Sequence, residues 1–416
     1  MGKALDEVRI GEYTSADLDY GALSRVDLVL LRALTEQNRL HVHPLRTGWR
    51  IQNRSTVGVL VLERIRLVLV PKIAFGEDRL IEWLAYAVDT AVPHPPTPRA
   101  WQIGPLGVPD LVAAALVAEC RKLLRRGLRR DYVACDSVTP VLRGRLDIAA
   151  QVGRRYGQID RLHVRTFERD SATWENQVCA SALAQAVRFA EDPAVVLDAV
   201  ETLREFPAPL PAGEAIRVLR RARHNRLDMH YRSAHAWARA ILDGGGITDL
   251  FTDAGLPAGS LLLNMNTLWE RVVRRLADTA AGGLTVPAAN EVVRVVGDLR
   301  TRPPFPPDAL VALPGLRGWL PVDAKYKAYA TKSVAADDVH QLLTYAAGYG
   351  DPAQAHAVIV HPAPNGATSR TLRVIGPRGR LGTIDLVGIH TGEPPSDVAV
   401  AQMAACFTRI GMQGTA

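Results

Sequence analysis

The amino-acid sequence predicts an α/β fold, α+β overall, and three features of the 416-residue chain support this class. Alternating strand-like segments dominate residues 1–95, helical patterns dominate residues 96–255, and helices alternate with strands over residues 256–416. These changes predict a strand-rich N-terminal domain, a mainly helical middle region and a C-terminal α/β domain. We expect the last of these to hold a central mixed sheet flanked by helices.

The N-terminal domain opens with one helical pattern and then alternates. DLVLLRALTEQ has the apolar spacing of a helix, and antiparallel strands are predicted for GWRIQN, TVGVLVLE and RIRLVLVPKI. A second helix, DRLIEWLAYAVDT, is followed by a proline cluster at residues 93–98, which cannot continue a helix. The first domain boundary is therefore placed at residue 95.

The middle region is mainly helical, and VLRGRLDI within it is predicted to be a strand or an extended segment. The C-terminal domain opens with a helix, LLLNMNTLWERVVRRLADTA, followed by the strand NEVVRVVGD and a hairpin. Next come the helix DDVHQLLTYAAGY and the strand AHAVIVHP. The tail adds the strands TLRVIG and GTIDLVGI and the helix DVAVAQMAACFTRI. This alternation is typical of a sheet covered by helices.

The predicted hairpin carries two acids and a lysine. Its strands, ALVAL and GWLPVDAKY, are separated by a Pro-Gly turn signal, and Asp308 stands immediately before the first strand. Side chains alternate along a strand, so Asp323 and Lys325 face the same side and Ala324 faces the other. Carboxylate oxygens suit Mg²⁺, with Mn²⁺ as the alternative ion. Asp308, Asp323 and the Ala324 carbonyl are thus predicted metal ligands, and Lys325 would position or activate a water.

Composition supports a chemical role for Lys325. The chain contains 44 arginines but only 6 lysines, and three of those lysines are Lys325, Lys327 and Lys332. A position that keeps lysine against this bias is expected to need a compact amine, which arginine cannot supply. The alternative is chance or a solvated strand end. Lys327 is an accessory candidate for contacting DNA phosphate.

Two other acids compete for a place in the site. Glu270, in LWERVV, could bind the metal directly or through water, and the alternative is an ordinary surface glutamate. Asp298 is a rival to Asp308 because GDLRTRPPFPPD offers both acids before the hairpin. We prefer Asp308, since it follows Pro307 and immediately precedes an apolar strand.

Gln341 and Tyr345 are four residues apart on one predicted helix and therefore share a face. If this face meets the metal site, Gln341 could hold a phosphate or a metal-bound water, and Tyr345 could contact the DNA backbone. The alternative is the polar edge of an amphipathic helix.

The ordered set of PD at 307–308, DAK at 323–325 and QLLTY at 341–345 resembles the PD-(D/E)xK nuclease core with its QxxxY extension. Further segments, RLVLVPKI, RRGLRRDY, VLRGRLDI, ENQV and HYRSAHAWARAIL, resemble the McrC family over roughly residues 56–350. That family comprises the nuclease subunits of modification-dependent (5-methylcytosine) restriction systems, which act in antiviral defence.

The resemblance implies a Mg²⁺-dependent DNA endonuclease with Asp308, Asp323 and Lys325 as catalytic residues. It also implies a partner, a separate AAA+ GTPase of the McrB type that forms a hexameric ring and delivers methylated DNA. In the family, the N-terminal part forms a stalk that enters this ring and stimulates GTP hydrolysis, a role that would fall to residues 1–95.

Composition and local motifs limit the alternatives. A net charge of +7 suits a polyanionic partner, and no apolar run is long enough for a membrane span, so a cytoplasmic location is expected. No phosphate-binding GxxxxGK[ST] loop is present, so the chain itself should not hydrolyse a nucleoside triphosphate. Two other functions remain open: an autonomous QxxxY-type DNA nuclease, and a non-catalytic subunit that bridges a motor and DNA through arginine clusters at 121–130 and 217–226.

Overall fold

The computed structural model of the protein describes residues 5–72, 79–90, 92, 108–244, 261–286, 293, 306–351 and 355–414. The chain divides into two compact units, one of Met1–Val112 with Leu256–Ala416 and one of Ala113–Gly255. The first unit combines residues that the sequence assigned to separate N-terminal and C-terminal domains. The second corresponds closely to the predicted middle region.

The N-terminal part of the first unit contains both predicted helices and all three predicted strands, with further strands before and between them. Its elements are β1 (Asp6–Gly11), β2 (Ser15–Asp19), α1 (Arg25–Glu36), β3 (Leu40–Pro44), β4 (Gly48–Asn53), β5 (Thr56–Val61), β6 (Ile65–Val70) and α2 (Leu80–Ala87). Helix α1 begins at a capping box, in which Ser24 and Asp27 each accept a hydrogen bond from the other's main-chain N–H.

The second unit is mainly helical, as predicted, but it also contains an antiparallel sheet in the order β7-β9-β8. Its elements are α3 (Val108–Arg126, which begins in the first unit), β7 (Asp131–Thr139), β8 (Arg145–Leu146), α4 (Ile148–Arg155), β9 (Leu162–Asp170), α5 (Trp174–Phe189), α6 (Pro193–Arg204), α7 (Ala212–Arg221) and α8 (Arg232–Gly244). The predicted extended segment VLRGRLDI contains β8. Strands β7 and β9 were not predicted, because most of their side chains are exposed and they lack a buried apolar face.

The C-terminal part of the first unit follows the predicted order of helices and strands. It consists of β10 (Leu261–Asn264), α9 (Met265–Ala280), β11 (Thr285–Val286), β12 (Ala309–Val311), β13 (Leu320–Ala324), α10 (Ala336–Tyr349), β14 (His356–Ala363), β15 (Thr368–Gly376), β16 (Gly379–His390) and α11 (Asp397–Gly414). The predicted strand NEVVRVVGD, which includes Asp298, lies outside the described residues apart from Val293.

Strand pairing joins the two ends of the chain within the first unit. Where the structure describes it, one sheet has the order β1-β6-β5-β10, and Leu261 on β10 pairs with Val59 on β5. Gly58 makes this approach possible, because it has a φ of +126° and a Cβ there would lie 2.0 Å from the Leu261 carbonyl oxygen. The short strand β10 leads directly into α9, so the N-terminal sheet positions the first helix of the C-terminal core.

The sheet of the C-terminal core has the order β11-β12-β13-β14-β16-β15 in the described residues and is mixed, as predicted. Strands β13, β14 and β16 run parallel to one another, whereas β11, β12 and β15 join the sheet through antiparallel pairs. Helix α10 packs on β13, β14 and β16, while α9 and α11 contact each other and the sheet. The predicted α/β class is therefore confirmed. In the described residues, no helix is long and apolar enough to cross a membrane.

Candidate active site

Helix α9 provides one wall of the site. It starts at Asn264, whose side chain accepts hydrogen bonds from the next turn, and it buries one apolar face against the sheet. Trp269 on that face donates a hydrogen bond from Nε1 to the Val360 carbonyl of β14, at 3.0 Å. This anchor fixes the neighbouring Glu270 at the partly exposed edge of the helix, beside the hairpin acids.

The predicted hairpin is confirmed as β12 and β13, with Ala309 paired to Val322. Asp308 lies at its open end, and its Oδ2 accepts a hydrogen bond from the Ala324 N–H at 2.7 Å. Arg274 of α9 donates from Nε to the Asp308 carbonyl at 2.8 Å, and its Nη2 lies 3.5 Å from Oδ1. One oxygen of Asp308 is therefore fixed by the backbone of β13.

Lys325 continues β13 and reaches two polar groups. Its Nζ lies 2.7 Å from Oδ2 of Asp323 and donates to Oε1 of Gln341, also at 2.7 Å. No described donor meets Asp323 Oδ2 with hydrogen-bond geometry, although this oxygen is buried. We interpret the short contact between Asp323 and Lys325 as an ion pair without a well-aligned hydrogen bond.

Helix α10 supports the lysine from the other side. The Gln341 amide donates from Nε2 to the Tyr345 hydroxyl at 2.7 Å, and that hydroxyl donates to the Pro306 carbonyl at 3.2 Å. Tyr345 is only 3 % exposed. Helix α10 turns this side chain toward the core, and the predicted contact between Tyr345 and DNA stays a prediction. In the structure, the Tyr345 hydroxyl orients Gln341.

Burial makes the three acids of the site reluctant to ionise. It is the main reason that the pKa of Asp323 is raised to about 6, with Asp308 adding repulsion and Lys325 opposing the shift. The pKa of Asp308 is also raised by burial, which hydrogen bonding and nearby cations only partly offset. Burial raises the pKa of Glu270 as well, and the charges of Asp308 and Asp323 add to the effect. A concentration of negative charge with this behaviour favours cation binding.

The comparisons with known proteins agree with this architecture. The family model described as the McrBC 5-methylcytosine restriction system component matches residues 51–362, three quarters of the chain. The chain belongs to this McrBC family. The family resemblance seen in the sequence is thereby confirmed. No curated protein matches the chain.

Two solved structures are similar to this McrBC family member. One is a refined half-complex from a tetradecameric assembly of Thermococcus gammatolerans McrB AAA+ hexamers with bound McrC. The match has a TM-score of 0.62 and 16% identity, and it covers 97% of this chain and 100% of that chain. The other is the cryo-EM structure of the Thermococcus gammatolerans McrBC complex, with a TM-score of 0.47, 16% identity and coverage of 66% and 88%. The first match supports the fold.

The residues of this family member fit a divalent cation bound partly through water. Among the described residues, no three His, Cys, Asp or Glu side chains form a cluster able to hold a metal. Mg²⁺ does not require such a cluster, because it commonly binds one or two carboxylates and keeps several waters. Asp308, Asp323 and the carbonyl of Ala324 offer that kind of site, because all three supply oxygen ligands and the Asp308 and Asp323 carboxylates are largely buried.

Sequence reasoning missed two residues that the fold brings to the site. Arg274 contacts Asp308, and Asp338 contacts both Lys325 and Lys327. Arg274 is four residues after Glu270, and Asp338 is three residues before Gln341, so helical spacing could have indicated both. The accessory candidate Lys327 is half-exposed and bonded to Asp338 at 2.6 Å.

Both predicted arginine clusters contain residues that are engaged in pairs within the protein. In the cluster at 121–130, Arg121 bonds to Asp198 and Arg129 to the buried Glu175. In the cluster at 217–226, Arg220 bonds to Asp243. These arginines form ion pairs within the McrBC family member, which reduces the positive charge available for binding DNA.

Proposed function

We propose that the chain is the nuclease subunit of a McrBC-like restriction system, a Mg²⁺-dependent endonuclease that cleaves DNA phosphodiester bonds. The observation that carries this proposal is the convergence of Asp308, Asp323 and Lys325 at the end of one hairpin. These three side chains, together with Gln341, form an acid-acid-lysine set in which Lys325 contacts both Asp323 and Gln341. A merely structural ion pair would not need the second, buried acid.

In this proposal Asp308, Asp323 and the Ala324 carbonyl would hold Mg²⁺, and Glu270 would contribute directly or through water. Bound Mg²⁺ would supply Lewis-acid polarisation of the phosphate and a water of lowered pKa. Lys325 holds the attacking water in line with the scissile bond and offsets charge that develops on the phosphate. Gln341 keeps the Lys325 amine pointing at the reacting centre, and Lys327 is close enough to contact the DNA backbone.

We further propose that the subunit works with a McrB-type AAA+ GTPase ring that delivers methylated DNA, and that it stimulates nucleotide hydrolysis by that ring. Membership of the McrBC family and the fold shared with a chain of the McrB and McrC assembly support this partner. The partner-binding role predicted for residues 1–95 is restricted by burial, because β5 and β6 lie in the core of the first unit. Among the described residues of this region, the partly exposed strands β2 and β3 remain available to a ring.

The test is plasmid cleavage by the full chain, with and without a McrB-type AAA+ protein and GTP, in Mg²⁺ or EDTA. Methylated and unmethylated plasmids are compared for the wild type and for Asp323→Ala. We expect cutting of methylated plasmid that requires the AAA+ protein and Mg²⁺ and is lost in Asp323→Ala.

The other outcomes correspond to the two competing functions. Cutting that is equally fast without the AAA+ protein would support an autonomous nuclease. If Asp323→Ala still stimulates the GTPase and cutting is unchanged, the chain would instead be a non-catalytic bridging subunit. Another protein would then be the nuclease. The reduced free charge of the arginine clusters argues against this second outcome.

A further inference from the structure

Asp338 is a buried acid that no predicted role accounts for. It lies in the first turn of α10 and is 6 % exposed. Its Oδ1 is 3.8 Å from Lys325 Nζ. Its other oxygen, Oδ2, is bonded to Lys327 Nζ at 2.6 Å and accepts a hydrogen bond from the Tyr329 hydroxyl. The acid is therefore fixed on one side and faces the lysine of the site with the other.

The position of Asp338 matters because Asp323 cannot be the main anionic partner of both Lys325 and Mg²⁺. In the structure, Asp323 Oδ2 is the nearest anionic atom to Lys325 Nζ, at 2.7 Å. If Asp323 turns its oxygens toward Mg²⁺, Lys325 keeps one neutral partner, Gln341, and one anionic neighbour, Asp338. Without Asp338, the Lys325 ammonium would then have no anionic neighbour and could rotate away from its place in the site.

We infer that Asp338 is a positioning residue for Lys325, the group that holds the amine in place once Asp323 is occupied by the metal. This inference rests on the proposed nuclease function. Asp338 acts on the reaction through its contact with Lys325. Lys327 and Tyr329 in turn hold Asp338, so the three residues form one support behind the lysine.

Electrostatics are consistent with this support. Burial alone would raise the pKa of Asp338, but the hydrogen bonds from Lys327 and Tyr329, together with the charge of Lys325, outweigh burial and lower the pKa. Burial and the hydrogen bond to Asp338 both raise the pKa of Tyr329, which therefore remains a donor. Asp338 thus stays charged where the site needs an anion.

A purely structural role for Asp338 makes a different prediction. As an acid in the first turn of a helix, Asp338 also interacts favourably with the helix dipole. Asp337 shares that position but is exposed and makes none of these contacts. Asp337→Asn is therefore a matched control, since it removes a charge from the same turn and leaves Lys325 untouched.

The experiment compares Asp338→Asn with Asp337→Asn in the full chain with its AAA+ partner. We expect Asp338→Asn to lower kcat by about 10- to 100-fold, the usual size of a supporting-residue effect. DNA affinity measured with Ca²⁺ in place of Mg²⁺ should not change, and Asp338→Glu should recover part of the loss. In a Lys325→Met background, Asp338→Asn should have no further effect on the residual rate. A loss that persists undiminished in that background would overturn the inference.

A second readout does not depend on cleavage. Acetylation of the intact protein in saturating Mg²⁺ at one pH, mapped by mass spectrometry, should show Lys325 reacting several-fold faster in Asp338→Asn, with the exposed Lys332 as internal reference. An unchanged Lys325 rate would overturn the inference even if no variant cleaves DNA. Should Asp338→Asn fail to fold, Tyr329→Phe removes one support and is read in the same way. If Asp323→Ala still cuts DNA, the proposed function is wrong. If Lys325 is nevertheless acetylated faster in Asp338→Asn, the contact between Asp338 and Lys325 is still supported.

Discussion

Asp308 and Ala324 are joined by a hydrogen bond of 2.7 Å from the Ala324 N–H to the Asp308 carboxylate. This bond fixes one acid of the site to the strand that carries the other, so the two carboxylates move together. It also occupies Oδ2 and leaves Oδ1 to face the site, where Arg274 Nη2 lies 3.5 Å away. The spacing of the acids is therefore set by the hairpin backbone more than by side-chain rotamers.

Replacing Asp308 with asparagine removes the negative charge but can keep the hydrogen bond from the Ala324 N–H. The amide oxygen of Asp308→Asn can still accept the Ala324 N–H, so we expect a thermal midpoint close to that of the wild type. Loss of the negative charge should lower Mg²⁺-dependent cleavage by at least about 100-fold, the lower range for removing a group of this kind. Asp308→Ala, by contrast, leaves the buried N–H unsatisfied and should also destabilise the protein by about 1–3 kcal/mol. Equal cleavage by wild type and Asp308→Asn would exclude Asp308 as a ligand.

Lys325 should not be replaceable by arginine. The guanidinium is larger and planar, and it cannot fit the space in which Nζ lies 2.7 Å from both Asp323 Oδ2 and Gln341 Oε1. We expect Lys325→Arg and Lys325→Met to lose cleavage by similar factors, about 100-fold or more. Single-turnover cleavage with saturating Mg²⁺ measures this. Lys332→Arg, at an exposed position, is the control and should cleave normally.

These positions could be predicted because local geometry determines them. Alternation along β13 places Asp323 and Lys325 on one side, and the helical period places Gln341 and Tyr345 on one face. Neither period indicates how far α10 is rotated about its axis. That rotation comes from packing against residues such as Leu310 and Ile359, and it buries Tyr345.

The sequence patterns do not predict which residues of separate helices and strands contact one another. Helical spacing places Arg274 near Glu270 and Asp338 near Gln341, but their contacts with Asp308 and Lys325 depend on how α9 and α10 pack on the hairpin. Strands β7 and β9 were missed for a different reason. Their side chains are mostly polar and exposed, so hydrogen bonding along the backbone, which leaves no periodic apolar signal, accounts for their pairing.

Tyr345 offers a test of its role in orienting Gln341. Tyr345→Phe removes the hydroxyl that accepts from Gln341 Nε2 and donates to the Pro306 carbonyl, while it keeps the buried ring. We expect a loss of about 1 kcal/mol in the free energy of unfolding and a 10- to 100-fold fall in kcat through misplacement of Gln341. DNA affinity should be unchanged, because the side chain is buried. Weaker DNA binding with normal kcat would support the predicted contact with the DNA backbone.

Trp269 should matter for stability more than for chemistry. Its Nε1 donates to the Val360 carbonyl, and Lys325 N–H donates to the same oxygen at 2.9 Å. Trp269→Phe keeps one of these two bonds and most of the apolar contact, so we expect a destabilisation of about 1–3 kcal/mol from the smaller ring and the lost bond. Urea unfolding measures the change. Loss of cleavage by a Trp269→Phe protein that remains folded would show that Trp269 also orients Lys325.

Glu12 provides a prediction about pH that is independent of catalysis. It is 2 % exposed, and its Oε2 accepts a hydrogen bond from the Lys72 N–H at 2.7 Å. Burial, partly offset by hydrogen bonds from Lys72 and Tyr326, raises the pKa of Glu12 from 4.5 to about 7. The folded protein thus binds a proton that the unfolded chain releases between these two values.

Stability should consequently fall as the pH rises from about 4.5 to about 7, because the folded state must then ionise a buried acid. Glu12→Gln is neutral at every pH and can keep the bond to Lys72. We expect it to be more stable than the wild type at pH 8, by up to about 3 kcal/mol, with the difference disappearing near pH 4.5. Thermal unfolding from pH 4.5 to 8 measures the difference, and Glu7→Gln, at an exposed position on β1, is the control. A Glu12→Gln variant that is less stable at pH 8 would show that the buried carboxylate has a cationic partner in the folded protein.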